Sequence, residues 1–387
     1  MRIALYGGSF NPPHQGHRAA AETALRELRA DKFLIIPDNI PPHKDMAEGS
    51  PSAEERIELC RLNFAGMTDA EVSDMELMRS GKSYTSRTVE VLRDKYPGDE
   101  LVLIVGTDMF LSFKEWRRFE YLLENCTLAV IRRENDDEKA ISDMKRELGD
   151  DFGAKVILLP HVPMPMSSSE IRKLLRKRKG RELLSDAVYS RIIKKRLYSA
   201  SPDMNWLREK AYAYLKPSRT AHVAGCEKEA VRLAQKWGED PDTAAEAGIL
   251  HDITKRLSYD EQLILCSKYG IILDNTERES PALLHAVTGA PFARELFGIP
   301  DNVYSAIRWH TTGRPDMSLL EKIVYLADII EPGRDFPGVE TLRKLSYENI
   351  DKAMAAALKG SMEEVRSHGR IPHKNSAAAY EWYAAES

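Results

Sequence analysis

The 387-residue sequence predicts two domains of different class, an α/β domain over residues 1–199 and an all-α domain over residues 203–387. Three observations predict them. The chain is longer than one ordinary hydrophobic core serves and suits two. Short apolar runs alternate with helical patterns as far as residue 200, the grammar of a parallel sheet flanked by helices. After Ser199-Ala200-Ser201-Pro202 the β-type runs almost vanish and helical ones succeed one another.

In the first half the strand candidates are Arg2–Tyr6, Phe33–Pro37, Glu71–Leu77, Leu101–Val105, Thr127–Ile131 and Val156–Leu159, each a short apolar run. Between them Arg18–Leu28, Ala53–Phe64 and Thr85–Lys95 read as amphipathic helices. In the second half the spacing predicts helices over Trp206–Leu215, Glu227–Lys236, Thr243–Ile249 and Leu319–Ile330. The tail from about Ser367 carries Gly, Pro, Ala and Ser and reads as peripheral.

Composition excludes several classes. Hydrophobic residues make up 43% and charged residues 30%, which are globular values. No run of about 20 apolar residues offers a transmembrane helix. The start, Met1 to Gly7, reads as a strand entering a glycine turn and not as a signal peptide. Cys60, Cys126, Cys226 and Cys266 are scattered with no CxxC, which predicts reduced thiols in the cytoplasm. A net charge of −4 exerts no general pull on nucleic acid. The basic run Arg172–Arg181 contains Leu174 and Leu175 and is followed by Leu183 and Leu184. It therefore reads as a helix with one buried face, since no nucleic-acid-binding motif accompanies it.

The first strand ends in Gly7-Gly8, followed by Ser9, Phe10, Asn11, Pro12, Pro13, His14, Gln15, Gly16 and His17. A strand turning through glycine into a helix N-terminus sets N–H groups and the positive helix end against an anion. In open α/β sheets ligands gather at this edge. His14 and His17 stand three apart, so both rings can point into one site. The string fits neither the Walker nor the GxGxxG pattern. It resembles the HxGH nucleotidyltransferases, which implies a Rossmann-like fold. Ser167-Ser168-Ser169-Glu170-Ile171-Arg172 is similar to their SSTxIR signature, where serines cap a helix and an arginine fork meets phosphate.

Within that superfamily residues 1–198 resemble bacterial nicotinate-nucleotide adenylyltransferases. Pro41-Pro42-His43-Lys44 is similar to the family's PPHK loop, Ser83-Tyr84-Thr85 to its SYT segment, Gly106-Thr107-Asp108 to its GxD turn, and Trp116 to its pyridine-facing tryptophan. Ser9, Asn11 and Ser169 replace the commoner Thr, Asp and Thr, and keep hydrogen-bonding ability. The resemblance implies that ATP and nicotinate mononucleotide give nicotinate adenine dinucleotide and pyrophosphate, with Mg²⁺ accompanying the ATP. It implies roles for His14 and His17 at the phosphates, with Lys44 and Arg172 at the leaving pyrophosphate. Gly7, Gly8, Ser9, Phe10 and Ser167 to Ser169 would line the ATP site, and Thr85, Asp108, Trp116 and Arg132 the mononucleotide site. A pantetheine-phosphate adenylyltransferase would leave Pro41–Lys44 and Trp116 without a role.

The helical half carries His222, His251-Asp252, His285, His310 and Asp328. Neighbouring helical positions point about 100° apart, so His251 and Asp252 can serve one metal from a single turn. Imidazole and carboxylate without thiolate suit Fe, Mn or Co. The arrangement resembles HD-domain metal-dependent phosphohydrolases, and the six-ligand form implies two metals. The words around Arg219–His222, His251–Lys255, Trp309–Gly313 and Ala327–Phe336 resemble the symmetrical dinucleoside-tetraphosphatases of that family. This implies hydrolysis of diadenosine tetraphosphate to two ADP. On the same resemblance His222, His251, Asp252 and Asp328 would hold one ion, and Asp252, His285 and His310 the other. Lys255, Arg308 and Arg334 would neutralise the polyphosphate. The alternative is a nucleotide-sensing or differently specific phosphohydrolase module regulating the transferase. The expected partners are small nucleotides rather than nucleic acid or membrane, and a homodimer is compatible with this reading.

Overall fold

Strands carrying apolar side chains on both faces need helices on both sides, and the first unit of the computed structural model is built this way. The structure describes residues 1–41, 46–79, 81–133, 136–162 and 167–385. It divides into Met1–Ser201 and Pro202–Ser387. In the first unit β1 (Arg2–Gly8), β2 (Lys32–Pro37), β3 (Ala70–Val72), β4 (Glu100–Gly106), β5 (Thr127–Arg132) and β6 (Val156–His161) form one parallel sheet. Its order is β3-β2-β1-β4-β5-β6. The connecting helices are α1 (Gln15–Leu28), α2 (Ala53–Asn63), α3 (Thr85–Lys95), α4 (Thr107–Leu111), α5 (Phe119–Asn125) and α6 (Glu138–Phe152), with α7 (Ser168–Leu175) and α8 (Asp186–Lys195) after β6.

Side chains alternate across each strand. Ile3, Leu5, Leu101, Leu103 and Val105 therefore join Val89, Leu92 and Leu122 on one face of the sheet. Ala4, Tyr6, Val102 and Ile104 join Ala20, Ala21, Ala24 and Leu28 of α1 on the other. The chain winds outward from β1 to β3 on one side and from β4 to β6 on the other. The carboxyl ends of β1 and β4 thus meet where strand order reverses, the place such sheets bind ligands.

One strand is shorter than the apolar pattern predicts. The run Glu71–Leu77 ends its ladder at Val72. Ser73 makes a last backbone bond to Ile35 O (2.8 Å), and the chain then turns, with Leu77 N on Asp74 O (2.9 Å). Glu76 points inward and accepts from Thr88 Oγ1 (2.6 Å).

The second unit is helical: α9 (Met204–Tyr212), α10 (Thr220–Trp237), α11 (Pro241–Leu250), α12 (Tyr259–Lys268), α13 (Asn275–Glu279) and α14 (Pro281–Phe297). It continues with α15 (Asp301–Trp309), α16 (Leu319–Ile330), α17 (Val339–Glu348), α18 (Ile350–Ser367) and α19 (Lys374–Ala385). Helix α16 buries Leu320, Ile323, Val324, Leu326, Ala327 and Ile330, so it is apolar nearly all round, as a central helix must be. Gly248 lets α11 approach α10 closely: a Cβ there would stand 2.9 Å from Glu227 Cα. Among the described residues no helix is long and apolar enough to cross a membrane.

The expectation of a peripheral tail fails. Helix α19 is packed in, with Ala379 and Tyr383 buried, and Tyr383 Oη accepts from Met317 N (2.8 Å). Its small residues gave no strong amphipathic pattern, which is why composition misled.

Candidate functional sites

The loop leaving β1 and the helix after β6 meet. His14 is the N-cap of α1, and its backbone N–H donates to His17 Nδ1 (3.2 Å). That bond leaves the His17 proton on Nε2, as a donor. The two rings stack with centroids 3.8 Å apart. Burial, with the Arg133 charge nearby, pushes the His14 imidazole down to about 4, so it is neutral at pH 7. Ser167 caps α7 by accepting from Glu170 N. Ser168 Oγ donates to Pro12 O (3.0 Å), and Arg172 donates to Asn11 O and to Ser169 Oγ (3.0 Å). Two segments about 150 residues apart in sequence therefore build one surface with two helix N-termini, an arrangement suited to a polyphosphate.

Around it the other expected residues fall into groups. Thr85 opens α3. The Arg117 guanidinium lies 4.6 Å over the ring of Tyr84, which ties the start of α3 to the turn bearing Trp116. Trp116 packs 5.0 Å from Phe113. Asp108 follows β4 and lies 3.5 Å from Arg133. Arg132 turns elsewhere: it donates to Leu159 O (2.8 Å) and pairs with Glu138 (2.9 Å). Adjacent residues at a strand end face opposite ways, so Arg133, not Arg132, faces Asp108. Lys44 lies outside the described residues.

In the second unit four histidines converge. His251, His285 and His310 each donate Nδ1–H to the carbonyl three residues back, Gly248 (2.8 Å), Ala282 (2.7 Å) and Ile307 (2.7 Å). His222 directs Nδ1 to Glu331 Oε1 (3.2 Å) and Nε2 to Asp328 Oδ1 (3.0 Å). Each ring thus has its outer nitrogen engaged and its Nε2 directed inward, the usual preparation of a metal-binding imidazole. Asp252 lies between two pairs. Its Oδ2 is 3.9 Å from His222 Nε2 and 3.4 Å from His251 Nε2. Its Oδ1 is 3.1 Å from His285 Nε2 and 3.9 Å from His310 Nε2.

Comparison with known proteins gives each unit a family match. A Cytidylyltransferase-like family model matches residues 5–174 and an HD domain model matches residues 219–333. The probable nicotinate-nucleotide adenylyltransferase of Geobacter metallireducens is 34% identical over 217 residues, covering 51% of this chain and 99% of that protein. The chain belongs to the nicotinate-nucleotide adenylyltransferase family. A protein of Mycoplasma genitalium named probable nicotinate-nucleotide adenylyltransferase/Ap4A hydrolase is 27% identical over 366 residues, covering 93% of this chain and 97% of its own length. A solved HD superfamily hydrolase involved in NAD metabolism, from Clostridium acetobutylicum, is 36% identical, covering 47% of this chain and 97% of that one at a TM-score of 0.46.

The adenylyltransferase half also uses residues that its motifs do not name. Arg56 on α2 is 1% exposed and donates to Ser9 O (2.9 Å) and Asn39 O (2.8 Å), which ties the loop after β1 to α2. Asn11 Nδ2 donates to Ser50 Oγ (2.7 Å). The signal for Arg56 was its place on the helix face shared with buried Cys60 and Asn63.

An HD domain implies a divalent-metal site, and the residues of this one fit. His251 Nε2 and Asp252 Oδ1 are buried without a hydrogen-bond partner, a costly arrangement unless a cation uses them. Charge is organised around the two carboxylates. Despite burial, which opposes it, Asp252 and Asp328 are held well below the usual range by His251 and His222. Burial lowers His222, but Asp328 and Cys226 more than restore it, to about 9. Burial pushes His310 down to about 3, reinforced by His285 and His251. Lys255 Nζ stands 3.2 Å from His285 Nδ1, and burial lowers its pKa. Arg334 donates to Asp328 Oδ1 (2.7 Å). Arg308 is turned to Glu277 (3.3 Å) and stacks on Trp309 (4.5 Å).

Three partners of this site have no role assigned from the sequence, although Arg219 and Glu331 stand inside the motif words. Arg219 Nε donates to Asp252 Oδ2 (2.6 Å). Glu331, 4% exposed, orients His222 and accepts from Gly333 N (2.6 Å). Gly225 makes room for it, since a Cβ there would stand 2.3 Å from Glu331 Oε2. Cys226 Sγ lies 3.3 Å from His222 Nε2.

Proposed function

We propose that the chain is a bifunctional enzyme. Residues 1–199 join ATP and nicotinate mononucleotide into nicotinate adenine dinucleotide, releasing pyrophosphate. Residues 203–387 hydrolyse diadenosine tetraphosphate to two ADP. For the first activity the supporting observation is the meeting of Pro12 and Asn11 with Ser168 and Arg172 beside the N-cap His14. For the second it is Asp252, whose two oxygens face separate histidine pairs.

In the transferase, the mononucleotide phosphate attacks the ATP α-phosphorus in line, so the protein has only to align the reactants and spread charge. Neutral His14 and the His17 Nε2–H donate to oxygens that gain charge in the transition state. The N-termini of α1 and α7 and Arg172 hold the triphosphate, which arrives with Mg²⁺, and Lys44 supports the departing pyrophosphate. Trp116 offers a face for the pyridine ring, with Thr85 and Asp108 beside the mononucleotide. Arg133 suits the mononucleotide phosphate better than Arg132, whose guanidinium is engaged.

In the hydrolase, His222, His251, Asp252 and Asp328 would hold one divalent ion, and Asp252, His285 and His310 another. Iron, or alternatively manganese or cobalt, suits these imidazole and carboxylate donors. Bound there, such ions supply an acidified water and charge neutralisation at the attacked phosphate. Lys255 and Arg334 would place positive charge beside the polyphosphate, and Arg219 holds the Asp252 carboxylate between the two histidine pairs. The four free cysteines, all buried, suit a reducing cytoplasm.

Product analysis of the purified chain tests both readings. ATP with nicotinate or nicotinamide mononucleotide is expected to give nicotinate adenine dinucleotide preferentially, and its absence overturns the first reading. Metal-loaded chain is expected to release only ADP from diadenosine tetraphosphate. Metal-free, inactive chain that still binds adenine nucleotides would instead establish a sensor.

A further inference from the structure

The donors named so far are nitrogen and oxygen, but the fold adds a sulfur. Cys226 follows His222 by four positions on α10, so both side chains rise from one helix face. Its Sγ lies 3.3 Å from His222 Nε2 and 3.9 Å from Nδ1. Sγ, a nitrogen of His222, a nitrogen of His251 and an oxygen of Asp328 all lie within 4.8 Å of one another. Donors at bonds of roughly 2.0–2.3 Å around one ion span at most about that distance. A cysteine near a histidine is often a core residue, so a second observation matters. His251 Nε2 is completely buried with no hydrogen-bond partner. Its Nδ1 is already committed to Gly248 O, so Nε2 is the ring atom left to face this group of donors.

We propose that Cys226 is a protein ligand of the ion held by His222, His251 and Asp328. This rests on the metal reading of the HD half given above. Coordination takes the thiol as its thiolate, the proton leaving to solvent. The two metal positions then differ in kind. The one with Cys226 is a mixed nitrogen, oxygen and sulfur site, which favours iron, cobalt or zinc over manganese. The one formed by Asp252, His285 and His310 has nitrogen and oxygen alone. The absence of a CxxC hid this, because the sulfur joins through helical spacing to a histidine rather than to another cysteine.

The test is cobalt substitution of the full chain. Wild-type protein loaded with Co²⁺ is expected to show a near-ultraviolet thiolate-to-cobalt charge-transfer band. The band should vanish in Cys226→Val and persist in Cys266→Val, which alters another buried cysteine of the same unit. Cys226→Val should also weaken Co²⁺ at one of two binding equivalents by about tenfold or more, with a smaller change for Mn²⁺. Two bound Co²⁺ without the band, or a band surviving Cys226→Val, overturns the assignment of Cys226 alone. No Co²⁺ uptake overturns the metal reading as well. The wild-type spectrum is decisive even if the valine variant fails to fold.

Discussion

At the cap of α1 the His14 ring is 3% exposed, and burial lowers its pKa from 6.5 to about 4. The unfolded chain therefore takes up a proton between those values that the folded chain does not. Acidification from pH 6.5 to 4 then favours unfolding, by up to about 1.4 kcal/mol per pH unit for one proton. Denaturant titrations across that range should show a shallower pH dependence in His14→Gln than in wild type. Equal slopes would mean the ring titrates normally. For His17→Ala, loss of a transition-state donor should cut dinucleotide synthesis about 10²–10³-fold. ADP release from diadenosine tetraphosphate should be unchanged, which separates a local chemical defect from general unfolding. The histidines and aspartates proposed for both sites are readable in the sequence because motif spacing carries them. The roles of Arg56, Arg133, Glu331 and Arg219 are not, since each acts on a partner distant in sequence. The choice between Arg132 and Arg133 depended on which way a strand end faces, and residue type says nothing about that.

Between elements, glycine sets two approaches in the HD half. Gly248 is where α11 meets the backbone of α10, and a Cβ would meet Glu227 Cα at 2.9 Å. Backbone cannot rotate aside as a side chain can, so Gly248→Ala should cost about 1–3 kcal/mol, read as a lower unfolding midpoint of that unit. Gly225 has a different neighbour, the carboxylate that orients His222. Gly225→Ala should displace Glu331 and weaken metal binding about 10–100-fold, measurable by competition with a chromophoric chelator. Unchanged affinity would show that Glu331 does not hold the ring. The long strands and helices were legible because each keeps one period over many residues. β3 was overread since Glu71–Leu77 keeps apolar residues through a turn, and α19 was missed because alanine marks no face. What decides both is tertiary: the bond from Ser73 to Ile35 in one, and the Tyr383 contact with Met317 in the other.

At the scale of the molecule, two units carry two chemistries with separate requirements. Dialysis against a chelator should lower the stability of the HD unit by about 2.7 kcal/mol for each ion otherwise present at a hundred times its Kd, read as a lower unfolding midpoint. Adding back Mg²⁺ alone should restore dinucleotide synthesis but not ADP release. Recovery of both would mean that the two centres share one metal requirement. The α/β then all-α division was plain in the sequence because the spacing of apolar residues changes character near residue 200.

The packed helix α19 has a consequence for how the protein is made. The first unit possesses its last strand by His161 and ends at Ser201. The second cannot seat Tyr383 against Met317 until residue 383 has been added. At about 5–20 residues per second on a ribosome, that is a lead of roughly 10–40 s. The nascent chain should therefore present a finished nucleotide site while its histidine cluster still lacks the last supporting helix, and ribosome-bound chains halted near residue 360 should retain ATP while resisting metal loading.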